Sequence, residues 1–204
     1  RNFIMTGIIA QNVGRTSGLI KAASGGGGVW TLIETITASS DSTIEFDSGI
    51  DDTYDEYIIR YINVHPGTDD QKFLVNFRDG STAYDAIKTT SFFLAYNNEA
   101  DTSANLVYST SADLAQGTGG QRVTGGTGND NDLCSNGYLR LFDPSNTTFV
   151  KHFIGRSAHT ETGDSIEDAF GAGYCNTTSA IDGVQFAYVS GNIDAGTFKL
   201  YGVT

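Results

Sequence analysis

Residues 57–65 (YIIRYINVH) and 71–78 (QKFLVNFR) alternate their large apolar side chains at a period of two, which fits a β-strand and no helix. In the first stretch Ile58, Arg60, Ile62 and Val64 fall on one face, opposite Tyr57, Ile59 and Tyr61. Both faces carry bulk, so a central strand is expected. In the second, Phe73, Val75 and Phe77 oppose Lys72, Asn76 and Arg78. The intervening His65-Pro66-Gly67-Thr68-Asp69-Asp70 has the chemistry of a turn, and the two strands are expected to pair as an antiparallel hairpin.

The same alternation recurs over 30–37, 42–47, 137–142, 148–155, 183–189 and 197–203, and a second hairpin is expected from the last two, joined by a loop with Gly191 and Gly196 near its ends. Residues 83–95 are the one place where helix competes, with Thr89, Thr90 and Phe92-Phe93 favouring a strand at the end. Residues 97–103 and 116–136 read as polar, glycine-rich loops. The 25 glycines against 2 prolines supply turns without a collagen-like or linker pattern. Many short strands and no convincing long helix predict an all-β fold: an antiparallel two-sheet sandwich, with a jelly roll expected, over residues 29–204.

Residues 1–24 differ in character. They hold Arg1, Arg15 and Lys21 and no acid, a local +3 in a chain of net charge −12, leaving about −15 for residues 25–204. So short an apolar, basic segment cannot form its own core, but it can dock on an acidic neighbour or add a strand to a neighbour's sheet. An extended N-terminal docking arm is expected, anchored through Ile8, Ile9, Arg15, Leu19, Ile20 and Lys21. Gly25, Gly26, Gly27 and Gly28 follow as a hinge, because the Lys-Ser/Thr of a phosphate loop is missing and a strand comes next.

The acidic balance argues against nucleic acid as a partner, and no apolar run is long enough for a membrane span. No secretory signal is read from the first residues. Cys134 and Cys175 have no zinc spacing; a disulfide between them and two unpaired buried thiols are both left open. Gly125-Gly126-Thr127-Gly128-Asn129-Asp130 matches part of a calcium-binding nonapeptide. That motif shares each ion between successive repeats, so the single copy is read as a flexible loop tip. The clusters Asp51-Asp52-Asp55-Glu56, Asp69-Asp70 and Asp130 with Asp132 lack EF-hand spacing and are read as solvated turns. His65, His152 and His159 fall in no catalytic or metal-binding pattern, and nothing singles out a carboxylate pair among 24 acids. No catalytic residue, metal or cofactor is expected.

Gly18-Leu-Ile-Lys-Ala22, the glycine hinge, 29–33 (VWTLI), 37–46 (TASSDSTIEF), 54–57 (YDEY), His65-Pro66 and 196–203 (GTFKLYGV) resemble surface structural proteins of tailed bacteriophages, especially marine ones. The resemblance spans nearly the whole chain, on architectural rather than catalytic motifs. It implies a non-enzymatic tail-fibre or capsid-decoration protein on the virion surface, a homotrimer in contact with other virion proteins and open to a host-surface glycan. A carbohydrate-binding module is the alternative reading, with Tyr84, Tyr96 and Tyr108 as candidate sugar-stacking residues. A polysaccharide depolymerase comes third.

Overall fold

A computed structural model describes residues 28–204, and these form twelve β-strands and no helix. The arm (1–24) and Gly25, Gly26 and Gly27 lie outside the described residues, so the anchors Ile8, Ile9, Arg15, Leu19, Ile20 and Lys21 do too. Gly28 lies against the C-terminal strand, where an added Cβ would come 2.7 Å from Val203 Cγ1.

The strands are β1 (Trp30–Asp41), β2 (Ile44–Phe46), β3 (Glu56–Pro66), β4 (Gln71–Arg78), β5 (Lys88–Asn98) and β6 (Ala104–Tyr108). They continue as β7 (Gln121–Thr127), β8 (Ser135–Phe142), β9 (Lys151–Glu161), β10 (Ser165–Cys175), β11 (Gly183–Tyr188) and β12 (Ile193–Val203). One sheet has eight strands in the order β1-β12-β3-β8-β9-β10-β5-β6, and the other has four, β2-β11-β4-β7. The paired strands run antiparallel throughout.

Read along the chain, β1, β2, β3 and β4 alternate between the sheets, as do β7 with β8 and β11 with β12. The quartets β1-β12-β3-β8 and β2-β11-β4-β7 are thus the two sheets of a jelly roll, the expected fold. Two insertions, β5–β6 and β9–β10, extend the larger sheet by a four-stranded wing.

This topology corrects both expected hairpins. β3 pairs with β12 and β8, whereas β4 pairs with β11 and β7 in the opposite sheet. Likewise β11 and β12 lie in different sheets. Turn chemistry marks where the chain reverses, and a sheet-to-sheet crossing reverses it as well as a hairpin does. Strands β6, β7 and β10 arise where no strand is expected from the sequence. In β7 and β10 glycines stand in for side-chain alternation: a Cβ on Gly173 would press on Thr90 and Phe153, and one on Gly120, just before β7, on Leu74.

The inner faces pack as expected around aromatic rings. Phe73, Val75 and Phe77 of β4 are fully buried, as are Tyr57, Ile59 and Tyr61 of β3. Phe73 stacks on Phe186 at 5.5 Å and meets Tyr61 edge-on at 5.6 Å, while Phe77 lies 4.7 Å from Phe153. Such ring pairs add about 0.5–1.5 kcal/mol each beyond area burial. In β3 the register slips between Tyr61 and Val64, with Asn63 at φ 52°. This bulge carries Val64 into the core, against the uninterrupted alternation expected from the sequence.

The glycine run at 125–128 is not a loop tip. Gly125, Gly126 and Thr127 belong to β7, and a Cβ on Gly125 would strike Glu167 and His159 on the facing sheet. Glycine there lets the two sheets approach closely. Cys134 and Cys175 are both free thiols. Cys134 exchanges hydrogen bonds with Thr160 at one end of β9, and Cys175 pairs with Lys151 at the other. The length of β9 separates them by roughly 30 Å at strand rise, and a disulfide needs Cα atoms within about 7 Å.

Candidate ligand-binding face

The outer face of the eight-stranded sheet collects the side chains that could hold a ligand. Directly opposed residues of antiparallel strands share a face, so the register reads out its rows. One row runs Thr35, Lys199, Arg60, Tyr138, Arg156, Phe170, Phe93 and Tyr108, from edge to edge across all eight strands. A neighbouring row runs Leu32, Tyr201, Ile58, Arg140, Ile154, Ala172 and Ser91. Trp30, Val203, Glu56 and Phe142 form a third.

At the jelly-roll end these rows enclose a groove of about 350 Å³, lined by Trp30, Glu56, Ile58, Arg60, Tyr138, Arg140 and Val203. Its lining mixes two aromatic rings with three charged side chains, Glu56, Arg60 and Arg140. Trp30, 49% exposed, leans on Tyr201 with ring centroids 5.5 Å apart, and Tyr138 is 36% exposed. Ile58 is only 3% exposed and lies beneath them. Arg140 donates to Glu56, and this hydrogen bond raises the guanidinium pKa further. Arg60 and Lys199 are directly opposed across β3 and β12, and among the described residues neither is within ion-pair distance of a carboxylate.

The wing presents a different surface. Arg156 makes a two-pronged contact with Asp168 (2.9 and 2.7 Å), and its guanidinium lies 4.6 Å over the Phe170 ring. Phe170 stacks in turn on Phe93 at 4.9 Å, nearly parallel at 6°. Beyond them Leu106 is 67% exposed on edge strand β6, with Tyr108 and Ile166 also outside. A shallow depression of about 440 Å³ opens beside them around Ser91, His152, Ile154, Ala172 and Tyr174.

The three tyrosines suggested by the sequence do not converge. Tyr84 is half-buried in the loop before β5, with Arg78 5.6 Å over its ring. Tyr96 pairs with Glu167 on the inner side of the wing. Only Tyr108 reaches the outer face, where its hydroxyl donates to Asp113 at 2.5 Å. Trp30, Arg60, Tyr138 and Lys199 are not legible as a group in the sequence, because they come from four strands, β1, β3, β8 and β12, that only the fold brings together. The period-two placement of Arg60 opposite Tyr57, Ile59 and Tyr61 was the available signal that it faces outward.

The acidic clusters form local turns. Asp51 accepts from Thr53 N at 2.9 Å and from the Tyr57 hydroxyl at 2.9 Å, which lowers its pKa. Asp69 accepts from Asn129 N at 3.2 Å, and Asp70 pairs with Lys72 at 3.0 Å. Among the described residues no group of three or more His, Cys, Asp or Glu side chains is arranged to hold a metal ion. His159 and Glu167 meet at 2.8 Å beneath β7.

A second buried group is more unusual. Lys88, Cys175 and Lys151 lie side by side on the inner face of β5, β10 and β9. All three are fully buried. Lys88 Nζ donates to Ala86 O at 2.9 Å, and Lys151 Nζ to Thr177 O at 3.2 Å. Burial lowers both lysine pKa values and pushes the Cys175 thiol up to about 12. A thiol so raised is protonated at neutral pH and is a poor nucleophile.

No helix among the described residues is long and apolar enough to cross a membrane. No known protein family, curated protein or solved structure matches the chain.

Proposed function

We propose that the chain is a structural component of a bacteriophage virion: an outward-facing capsid-decoration or fibre protein, without catalytic activity, held to the particle by residues 1–24. The observation that carries this reading is the wing. A jelly roll is complete without β5, β6, β9 and β10, yet these strands spread an apolar face into solvent. Faces of that kind are interaction surfaces. A three-fold ring needs two different patches that fit each other, because its interface is heterologous. The projecting Leu106 and Tyr108 and the depression around Ile154 and Ala172 are two different patches, one raised and one recessed, which supports such a ring. The reading is therefore a homotrimer joined through its wings and surrounded by other virion proteins.

Deleting residues 1–24 tests the anchoring. The truncated chain should fold, since residues 28–204 pack a core of their own, and should fail to join particles. Wild-type occupancy by the truncated chain would refute the docking arm.

The groove at Trp30 favours a second reading, a carbohydrate-binding module. It supports a depolymerase less well. Among the described residues Glu56 is the one carboxylate in its lining, and it is engaged by Arg140, whereas glycoside hydrolysis calls for two.

A further inference from the structure

We infer that the groove between β1, β12, β3 and β8 binds an acidic saccharide, a sugar ring carrying a carboxylate. This deepens the host-facing reading above, but a free module would use the same groove, so its test needs neither particle nor trimer.

Charge is the first argument. The chain carries −12, yet Arg60, Arg140, Arg156 and Lys199 all stand on this one outer face. Glu56 engages Arg140 and Asp168 engages Arg156. Arg60 and Lys199 remain, placed directly opposite one another across two strands. Like charges so placed repel, and an anion between them turns the repulsion into attraction. Arg60 lines the groove and Lys199 is its direct cross-strand neighbour outside the lining, so a compact carboxylate held at Arg60 lies in the field of both charges.

The second argument is shape. A volume near 350 Å³ lies at the low end of small-ligand sites and is far smaller than a protein partner's footprint. Trp30 and the nearly buried Ile58 give the lining an apolar side for the C–H face of a sugar ring. The Arg140–Glu56 pair on the opposite wall presents a donor beside an acceptor, as ring hydroxyls require. The N-terminal arm is a poor occupant, because its own Arg1, Arg15 and Lys21 would meet Arg60 and Lys199.

The single tryptophan of the chain is Trp30, so tryptophan fluorescence reports on this groove alone. The full chain is titrated with oligogalacturonate and, in parallel, with the uncharged galactose oligomer of equal length; a glycan array extends the comparison to other acidic sugars and their neutral counterparts. A saturable change in Trp30 emission is expected with acidic sugars, weakening as salt is raised. Arg60→Ala and Lys199→Ala should each weaken binding about tenfold without altering the fold by circular dichroism. Trp30→Ala should abolish binding followed by calorimetry. Leu106→Asp, at the far edge of the sheet, should bind as the parent does even if it no longer assembles. An array blank for acidic sugars, equal binding of neutral ones, or unchanged affinity in Arg60→Ala would overturn the proposal.

Discussion

Among the single residues, the buried ionisable groups set how the molecule responds to pH. Burial pushes Cys175 up to about 12 from 9.0 and Tyr57 up to about 12 from 10.0, and it raises Tyr61 and Tyr188 as well. Each keeps its proton in the folded chain after the unfolded chain has lost it. Their contribution to stability is therefore complete below pH 9 and is lost as pH climbs through about 12. Lys88 and Lys151 act in the opposite sense. Their lowered pKa values penalise folding while the unfolded chain still binds the proton, and that penalty fades as pH rises towards 10.5. The three tyrosines join Cys175 only above pH 10, where the lysine penalty is nearly gone, so thermal melts should show the midpoint falling above about pH 10. Cys175→Ala should make that fall shallower. A midpoint unchanged up to about pH 11 would show that these groups are not buried as described.

For the strands, period-two patterning located most of the large ones but not their partners. The inward set of β4 was legible because Phe73, Val75 and Phe77 alternate without interruption. The partner of β4 was not, since alternation says which face is apolar and nothing about which sheet a strand joins. β7 and β10 escaped notice because their packing depends on missing side chains at Gly125 and Gly173, where the facing sheet fills the space. The groove was illegible for a related reason: Trp30, Arg60, Tyr138 and Lys199 become neighbours only through the order β1-β12-β3-β8. One element-level feature is directly testable. The bulge in β3 holds Asn63 at φ 52°, a conformation asparagine and glycine tolerate and β-branched residues resist. Asn63→Val should cost about 1–2 kcal/mol in urea unfolding, whereas Asn63→Gly should stay within about 0.5 kcal/mol. Equal losses in the two variants would mean that backbone strain at the bulge is not what matters.

At the scale of the molecule, the proposed reading gives the two halves of the large sheet different tasks. The jelly-roll quartet carries a charged groove, and the inserted wing carries an apolar, unevenly contoured surface. In this account the wing joins copies and the groove meets the outside. An acidic exterior keeps a densely displayed protein soluble. The most direct test of this arrangement is the solution mass of the full chain by sedimentation equilibrium, with Leu106→Asp as the paired variant. The account predicts a species of about three times 21.7 kDa for the parent and a single chain for the variant, with the same circular dichroism. A parent that stays at 21.7 kDa at every concentration would contradict it.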